Sequence, residues 1–283
     1  MNSRERQDVI LRLLADGPFR AGALAETGGD RPDGAHRLTP EVAAVISRVD
    51  LPALDRFGRF LCRHYYRERV VHYFKYCRAL ASLTDRAPEK VLKTPEFTAL
   101  MPRLVLGDRG SAELVLDLLR RFLTEDAEGV RARIPYWDDL VAYQGAFFLS
   151  DAAPPRPTAT QFPARAETAA ILELAWDLPP VLPALLRPFG EVPLPPKQAI
   201  RLLFARSEHG EVTVLRCPDA LKRLLDGLTG DVPPADIAAR LGLDAGALDK
   251  TLRQLETLGA VLARDSFSSS HVGSDLPQAA TKS

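Results

Sequence analysis

The apolar positions along the chain fall into three regimes. In residues 1–50, Val9, Ile10, Leu13 and Leu14 recur at helical spacing. The run from Thr27 to Gly34 breaks that pattern, as a glycine- and proline-rich loop should. Thr39-Pro40-Glu41 then reads as a helix start, with a hydroxyl cap and a proline in the first turn. Two short helices around a loop are predicted here.

Residues 51–150 read as helix throughout. Phe57, Phe60, Leu61, His64, Tyr65, Val71, Phe74 and Leu80 predict one long amphipathic helix. Pro88, Pro95 and Pro102 cut the next stretch into short pieces, with Thr94-Pro95 as another cap-and-proline start. Ser111 is expected to cap a helix over 112–123, whose apolar face is Leu114, Val115, Leu118, Leu119 and Phe122. A further helix opens near Pro135 and runs to about Leu149.

The third regime begins in residues 151–198, which hold eleven of the twenty-three prolines. Pro154-Pro155-Arg156-Pro157 suits a semi-rigid linker. Periodicity alone leaves Ala169–Asp177 open between strand and helix; its length and flanking prolines favour strand. Residues 199–206 and 212–217 flank Glu208-His209-Gly210-Glu211 as a hairpin. Three helices are predicted over 219–228, 233–241 and 244–258, the last ended by Gly259, with a short strand at 261–263. The polar, serine-rich residues 266–283 are expected to be disordered.

The fold class predicted is therefore α+β. A helical extension (1–50) precedes a helical bundle (51–150), a proline-rich linker (151–167), a small winged-helix-like domain of ββ(β)ααα order (168–265) and a tail (266–283).

Composition narrows the function. The chain of 283 residues carries 37 basic and 37 acidic side chains, so any nucleic-acid patch must be local. No apolar run reaches a membrane span of roughly 18 residues, and the charged start lacks a signal-peptide core, which predicts a cytoplasmic protein. Cys62, Cys77 and Cys217 are odd in number and widely spaced; buried free thiols are expected. The sequence contains no phosphate-binding loop, no G-x-G-x-x-G, no G-x-S-x-G and no H-E-x-x-H. His64 and His72, eight residues apart on one helix, are too far apart to chelate. Asp138 and Asp139 point about 100° apart on a helix and suit its positive end better than acid–base work. No autonomous catalysis is expected.

Two features remain to be explained. From Arg56 to Arg78, seven basic residues stand against the single Glu68, among seven of the twenty aromatic residues. A core helix with snorkelling arginines explains part of this; a partner surface explains Arg and Tyr together. The second feature, from Asp236 to Val261, has a helix-turn-helix pattern, with Gly242 ending one helix and Asp244 capping the next. From Asp231 to Asp265, Arg240, Lys250, Arg253 and Arg264 face six carboxylates, a net of minus two that opposes phosphate contact.

Several stretches carry a family resemblance: Phe60-Leu-Cys-Arg-His-Tyr-Tyr-Arg67, Pro135-Tyr-Trp-Asp-Asp139, Leu172-Glu-Leu-Ala-Trp176 and Leu202-Leu-Phe-Ala-Arg206 with its hairpin. Over roughly residues 55–245 the chain resembles the partner proteins of multinuclear non-heme iron-dependent oxidases (MNIO enzymes), which modify ribosomally made precursor peptides. Residues 1–50 and the tail lie outside that resemblance. The family has also carried the label of a DNA-binding domain, so a winged-helix transcriptional regulator is the competing reading.

The resemblance implies a non-catalytic subunit without a cofactor of its own; iron would belong to the oxidase. It implies that the C-terminal module resembles a recognition element for leader peptides. A leader would add a strand at Val212, Val214 and Arg216, with Lys250, Arg253 and Gln254 facing it from the third helix. The basic aromatic helix would then dock the oxidase through Arg59, Arg63, Tyr66, Arg67 and Tyr73.

Overall fold

The computed structural model describes residues 3–28, 39–152 and 160–262. The proline run at 154–157, most of the loop at 27–34 and the tail at 266–283 lie outside the described residues. The fold is mixed α+β and mainly helical. None of the described helices is long and apolar enough to cross a membrane. The chain divides into two compact units, Met1–Pro154 with Leu172–Ile200, and Pro155–Ile171 with Arg201–Ser283.

The first unit opens with three helices rather than two: α1 (Ser3–Ala15), α2 (Gly17–Gly28) and α3 (Pro40–Ile46). The unforeseen break falls at Asp16. Its carboxylate accepts the Phe19 N–H at 2.8 Å and pairs with Arg12. Gly17 is required there, because a Cβ would lie 2.7 Å from the Met101 carbonyl oxygen. Thr39 caps α3 as expected. Leu13, Ala23, Ile46 and Leu51 form a small core. Beside it Arg20, only 3% exposed, donates to Asp55 (3.0 Å) and to the Leu13 carbonyl (2.9 Å). This ties the N-terminal helices to the first turns of α4 (Leu51–Tyr73). Arg20→Leu removes every hydrogen bond of that buried guanidinium; a loss of roughly 3 kcal/mol in denaturant unfolding is expected.

The one long helix predicted through Phe57 to Leu80 is broken into separate helices. α4 ends at Phe74, whose φ of −98° and ψ of 30° leave the helical region, and α5 (Lys75–Ala79) comes next. The break is held by a group distant in sequence. The Gln144 side chain accepts from Tyr76 N–H at 2.8 Å and more weakly from Cys77 N–H at 3.4 Å, so it caps α5 from outside.

After α6 (Ala81–Thr84) come two 3-10 turns with α7 (Pro95–Leu100) between them, capped by Thr94 as expected. α8 (Arg109–Thr124) starts earlier than predicted. Asp108 is its cap, accepting from Ser111 N–H at 2.8 Å, while the Ser111 hydroxyl turns inward to accept from Val105. α9 (Glu128–Arg133) and α10 (Trp137–Ser150) complete the bundle. Tyr66, Phe74, Phe97, Trp137 and Phe148 fill its core.

Residues 172–200, with the short α11 (Leu182–Leu185), belong to this first unit, not to the C-terminal one. Asp139 accepts the Trp176 N–H at 2.9 Å, and the Tyr136 hydroxyl donates to the Pro193 carbonyl at 2.7 Å. The predicted boundary at 168 is thereby corrected.

The second unit contains β1 (Ala164–Arg165), most of β3 (Ile200–Arg206), β4 (Val212–Arg216) and β5 (Val261–Leu262). β2 (Ala170–Leu174) confirms the strand reading of that ambiguous stretch, and the three-stranded sheet has the order β2-β3-β4. β1 pairs antiparallel with β5, which the sequence did not suggest. Residues 160–167, expected to be linker, are hydrogen-bonded in place: Phe162 N–H donates to Gly230 and Arg165 N–H to Leu228. α12 (Asp219–Gly227), α13 (Pro234–Leu241) and α14 (Ala245–Thr257) come after the hairpin. Gly242 turns α13 into α14 at a φ of +65°, and Asp244 caps α14. Leu203, Ala205, Cys217, Leu224, Leu225, Ile237, Leu248 and Leu255 form the shared core of sheet and helices.

Candidate functional site

The first candidate is the outer edge of β4. Among the described residues no strand lies beyond it. The register pairs Leu203 with Leu215 and Phe204 with Val214. Ser207 N–H donates to the Glu211 carbonyl at one end, and Cys217 N–H to Arg201 at the other. In an antiparallel ladder, hydrogen-bonded and non-bonded pairs alternate. Residues 211, 213, 215 and 217 therefore turn their backbone groups toward β3. Val212, Val214 and Arg216 turn theirs outward. The three residues named from the sequence are those whose main chain faces away from β3.

Their side chains do something else. Directly opposed residues share a sheet face. Leu203, Ala205 and Cys217 pack into the helical core, so the odd-numbered positions face the helices. Val212 and Val214 share the other face with Leu202 and Phe204, both buried. Val212 and Val214 therefore lie on the sheet face opposite the helices. Thr213 and Leu215, both half-buried, are the β4 side chains on the helix face. The buried Cys217 gave the parity needed to find them.

Lys250, Arg253 and Gln254 are also corrected. At about 100° per residue, Leu248, Leu252 and Leu255 share one side of α14 and point to the core. Lys250, Arg253 and Gln254 lie on the opposite side and are exposed, with Arg253 paired to Asp249 at 2.6 Å. They lie on the solvent side of the helix, away from its core-facing stripe.

The second candidate is α4. Arg63 and Arg67 are exposed. Arg63 also donates to the Leu92 carbonyl at 3.1 Å. Arg59 is held at 2.8 Å by Asp55, the partner of Arg20. Tyr73 is half-buried, edge-on to Phe148. Tyr66 is corrected outright. It is fully buried between Phe97 and Phe148, and its hydroxyl has no hydrogen-bond partner among the described residues. Burial pushes that hydroxyl's pKa far up. It takes no part in a surface, so Tyr66→Phe should leave partner capture unchanged and hold or raise the melting temperature by a few degrees. Phe57, Phe60 and His64, which the helical periodicity assigned to the apolar face, are exposed.

The remaining reactive groups have ordinary roles. Cys62, Cys77 and Cys217 are buried. Burial raises all three thiol pKa values, that of Cys62 to about 11, which disfavours a nucleophilic thiolate. Asp138 pairs with Arg131 at 2.7 Å, while burial raises Asp139 even though it accepts the Trp176 amide. The two are anchors on different partners. Among the described residues no three His, Cys, Asp or Glu side chains group as metal ligands.

No family model and no curated protein matches the chain.

Proposed function

We propose that the chain is a cytoplasmic, non-catalytic partner subunit that binds a ribosomally made precursor peptide and presents it to an iron-dependent oxidase. The observation that carries this reading is the position of β4 at the end of the sheet, with the main chains of Val212, Val214 and Arg216 directed outward. An extended peptide can add there as a further strand. Main-chain hydrogen bonds supply affinity, and alternate side chains supply selectivity from the two faces. Ordering a disordered leader costs free energy, which suits weak, reversible capture. On this reading the C-terminal module is winged-helix-like and serves as a peptide-recognition element, and iron is bound by the oxidase. The test is fluorescence-polarisation titration of a labelled leader peptide of a ribosomally made precursor, with co-purification on a tagged oxidase of the iron-dependent class. Saturable binding in both supports the reading; absence of both removes it.

A DNA-binding regulator is the second reading, favoured by the α13–Gly242–α14 geometry. Charge opposes it. On the exposed side of α14, Asp249 and Glu256 cancel Lys250 and Arg253, and Asp244 stands at the helix start. A mobility shift on upstream DNA that weakens steeply with salt would restore it.

A further inference from the structure

We propose that the outer face of α4 is a docking surface for a protein partner whose own surface is acidic and carries an apolar ridge. The inference rests on the partner-subunit reading for the existence of a second subunit, and goes beyond it in the residues and the partner chemistry.

The first observation is an exposed aromatic stripe. Phe57 is 49% exposed and Phe60 60%, on a helix whose inward face already holds Gly58, Cys62, Tyr66 and Val70. The rings of Phe57 and Phe60 lie 6.2 Å apart at 14°, and those of Phe60 and His64 6.1 Å apart at 4°. At spacings of three and four residues they form one continuous row. Scattered apolar side chains on a surface need no explanation, but an ordered row of rings beside charges is the composition of an interface.

The second observation is the charge beside it. Arg56, Arg63 and Arg67 are exposed and run along one flank of the row. Among the described residues neither Arg56 nor Arg63 has a carboxylate within ion-pair distance. Arg67 has only its neighbour Glu68, at 3.7 Å, with both side chains 62% exposed. The nearby Asp55 is already committed to Arg20 and Arg59. The flank is therefore a row of exposed guanidinium groups with little compensating negative charge, over about 17 Å of helix, although Arg63 also donates to the Leu92 carbonyl.

These features select the occupant. A second copy of this chain in a two-fold contact would bring the same arginines to the same patch, like against like. A nucleic acid would meet three arginines with Glu68 among them, few contacts for an affinity that comes from neutralising phosphates. A protein surface with carboxylates beside leucine- or valine-type side chains satisfies the rings and the charges together.

The test uses the full chain, with a purified iron-dependent oxidase of the class proposed above as the probe. Dissociation constants are measured by biolayer interferometry, and leader-peptide affinity is measured separately by fluorescence polarisation. Phe57→Ser with Phe60→Ser is expected to weaken oxidase binding at least tenfold. Arg56→Glu with Arg67→Glu, which leaves the internal hydrogen bonds of Arg63 intact, is expected to do the same. Both variants should keep wild-type peptide affinity and melting temperature. If wild type binds the oxidase and both variants bind it equally well, the docking surface is wrong while the partner-subunit reading stands. If wild type binds peptide but no oxidase, or if these variants instead abolish a duplex-DNA shift, the inference is overturned. If wild type binds neither peptide nor oxidase, the reading beneath it falls as well.

Discussion

Val214→Pro is expected to lower leader-peptide affinity at least tenfold while the protein stays folded. The sheet register explains why. The Val214 N–H points away from β3, so proline removes no hydrogen bond of the β3–β4 ladder. Edge strands are where a sheet tolerates proline, and Thr213 before it already has the extended backbone that proline demands. One outward donor is lost, and the ring blocks close approach of a guest strand. Together these are worth about 1.4 kcal/mol or more, which is tenfold. The neighbouring substitution is the control. Leu215→Pro deletes a donor that faces β3 and is expected to destabilise the hairpin itself. Equal loss of peptide binding in Val212→Thr, Val214→Thr and Val214→Pro would point to side-chain recognition and refute the strand-addition mechanism.

Gly259→Val is expected to unfold the second unit or to cost it more than about 4 kcal/mol. Gly259 has a φ of +73°, which a β-branched residue resists strongly. A Cβ there would also lie 1.9 Å from the Arg206 carbonyl oxygen and 3.0 Å from the Ser207 Cα. Both contacts are with backbone, so no side-chain rotation relieves them. The glycine lets the end of α14 meet the end of β3 and start β5. Far-UV circular dichroism and a thermal melt would read the loss. A variant melting within 2 °C of wild type, a difference of about 0.5 kcal/mol or less, would refute this packing.

Much of this fold is legible in the sequence where local chemistry decides it. Thr39, Thr94 and Asp244 cap the helices that start at them, and Gly242 and Gly259 adopt the positive φ that their places at helix ends suggested. The hairpin lies where its alternation and glycine turn put it. The features that were not legible depend on groups distant in sequence. Gln144 breaks the long helix from 68 residues away. Tyr136 and Asp139 draw residues 172–200 to the first unit. β1 depends on pairing with β5 and on the Leu228–Thr229 backbone, both distant in sequence. The same limit governs the candidate sites. Periodicity could say that Arg63 and Arg67 are polar, but α4 has more aromatic residues than one face can bury. Which of them stayed outside was decided by the helices packed against it, so Tyr66 went in while Phe57 and Phe60 stayed out. In β4 the alternation was visible, but its phase was set by the partner strand.

The route of the chain matters for anyone who would work with either half alone. A fragment cut at residue 168 to isolate the C-terminal part would carry Trp176 and Pro193 away from Asp139 and Tyr136, their hydrogen-bond partners. A fragment ending at residue 167 would leave those same partners unsatisfied. Dissecting the molecule therefore calls for point substitutions in the intact polypeptide, and limited proteolysis between 168 and 192 should release no piece that keeps its native spectrum.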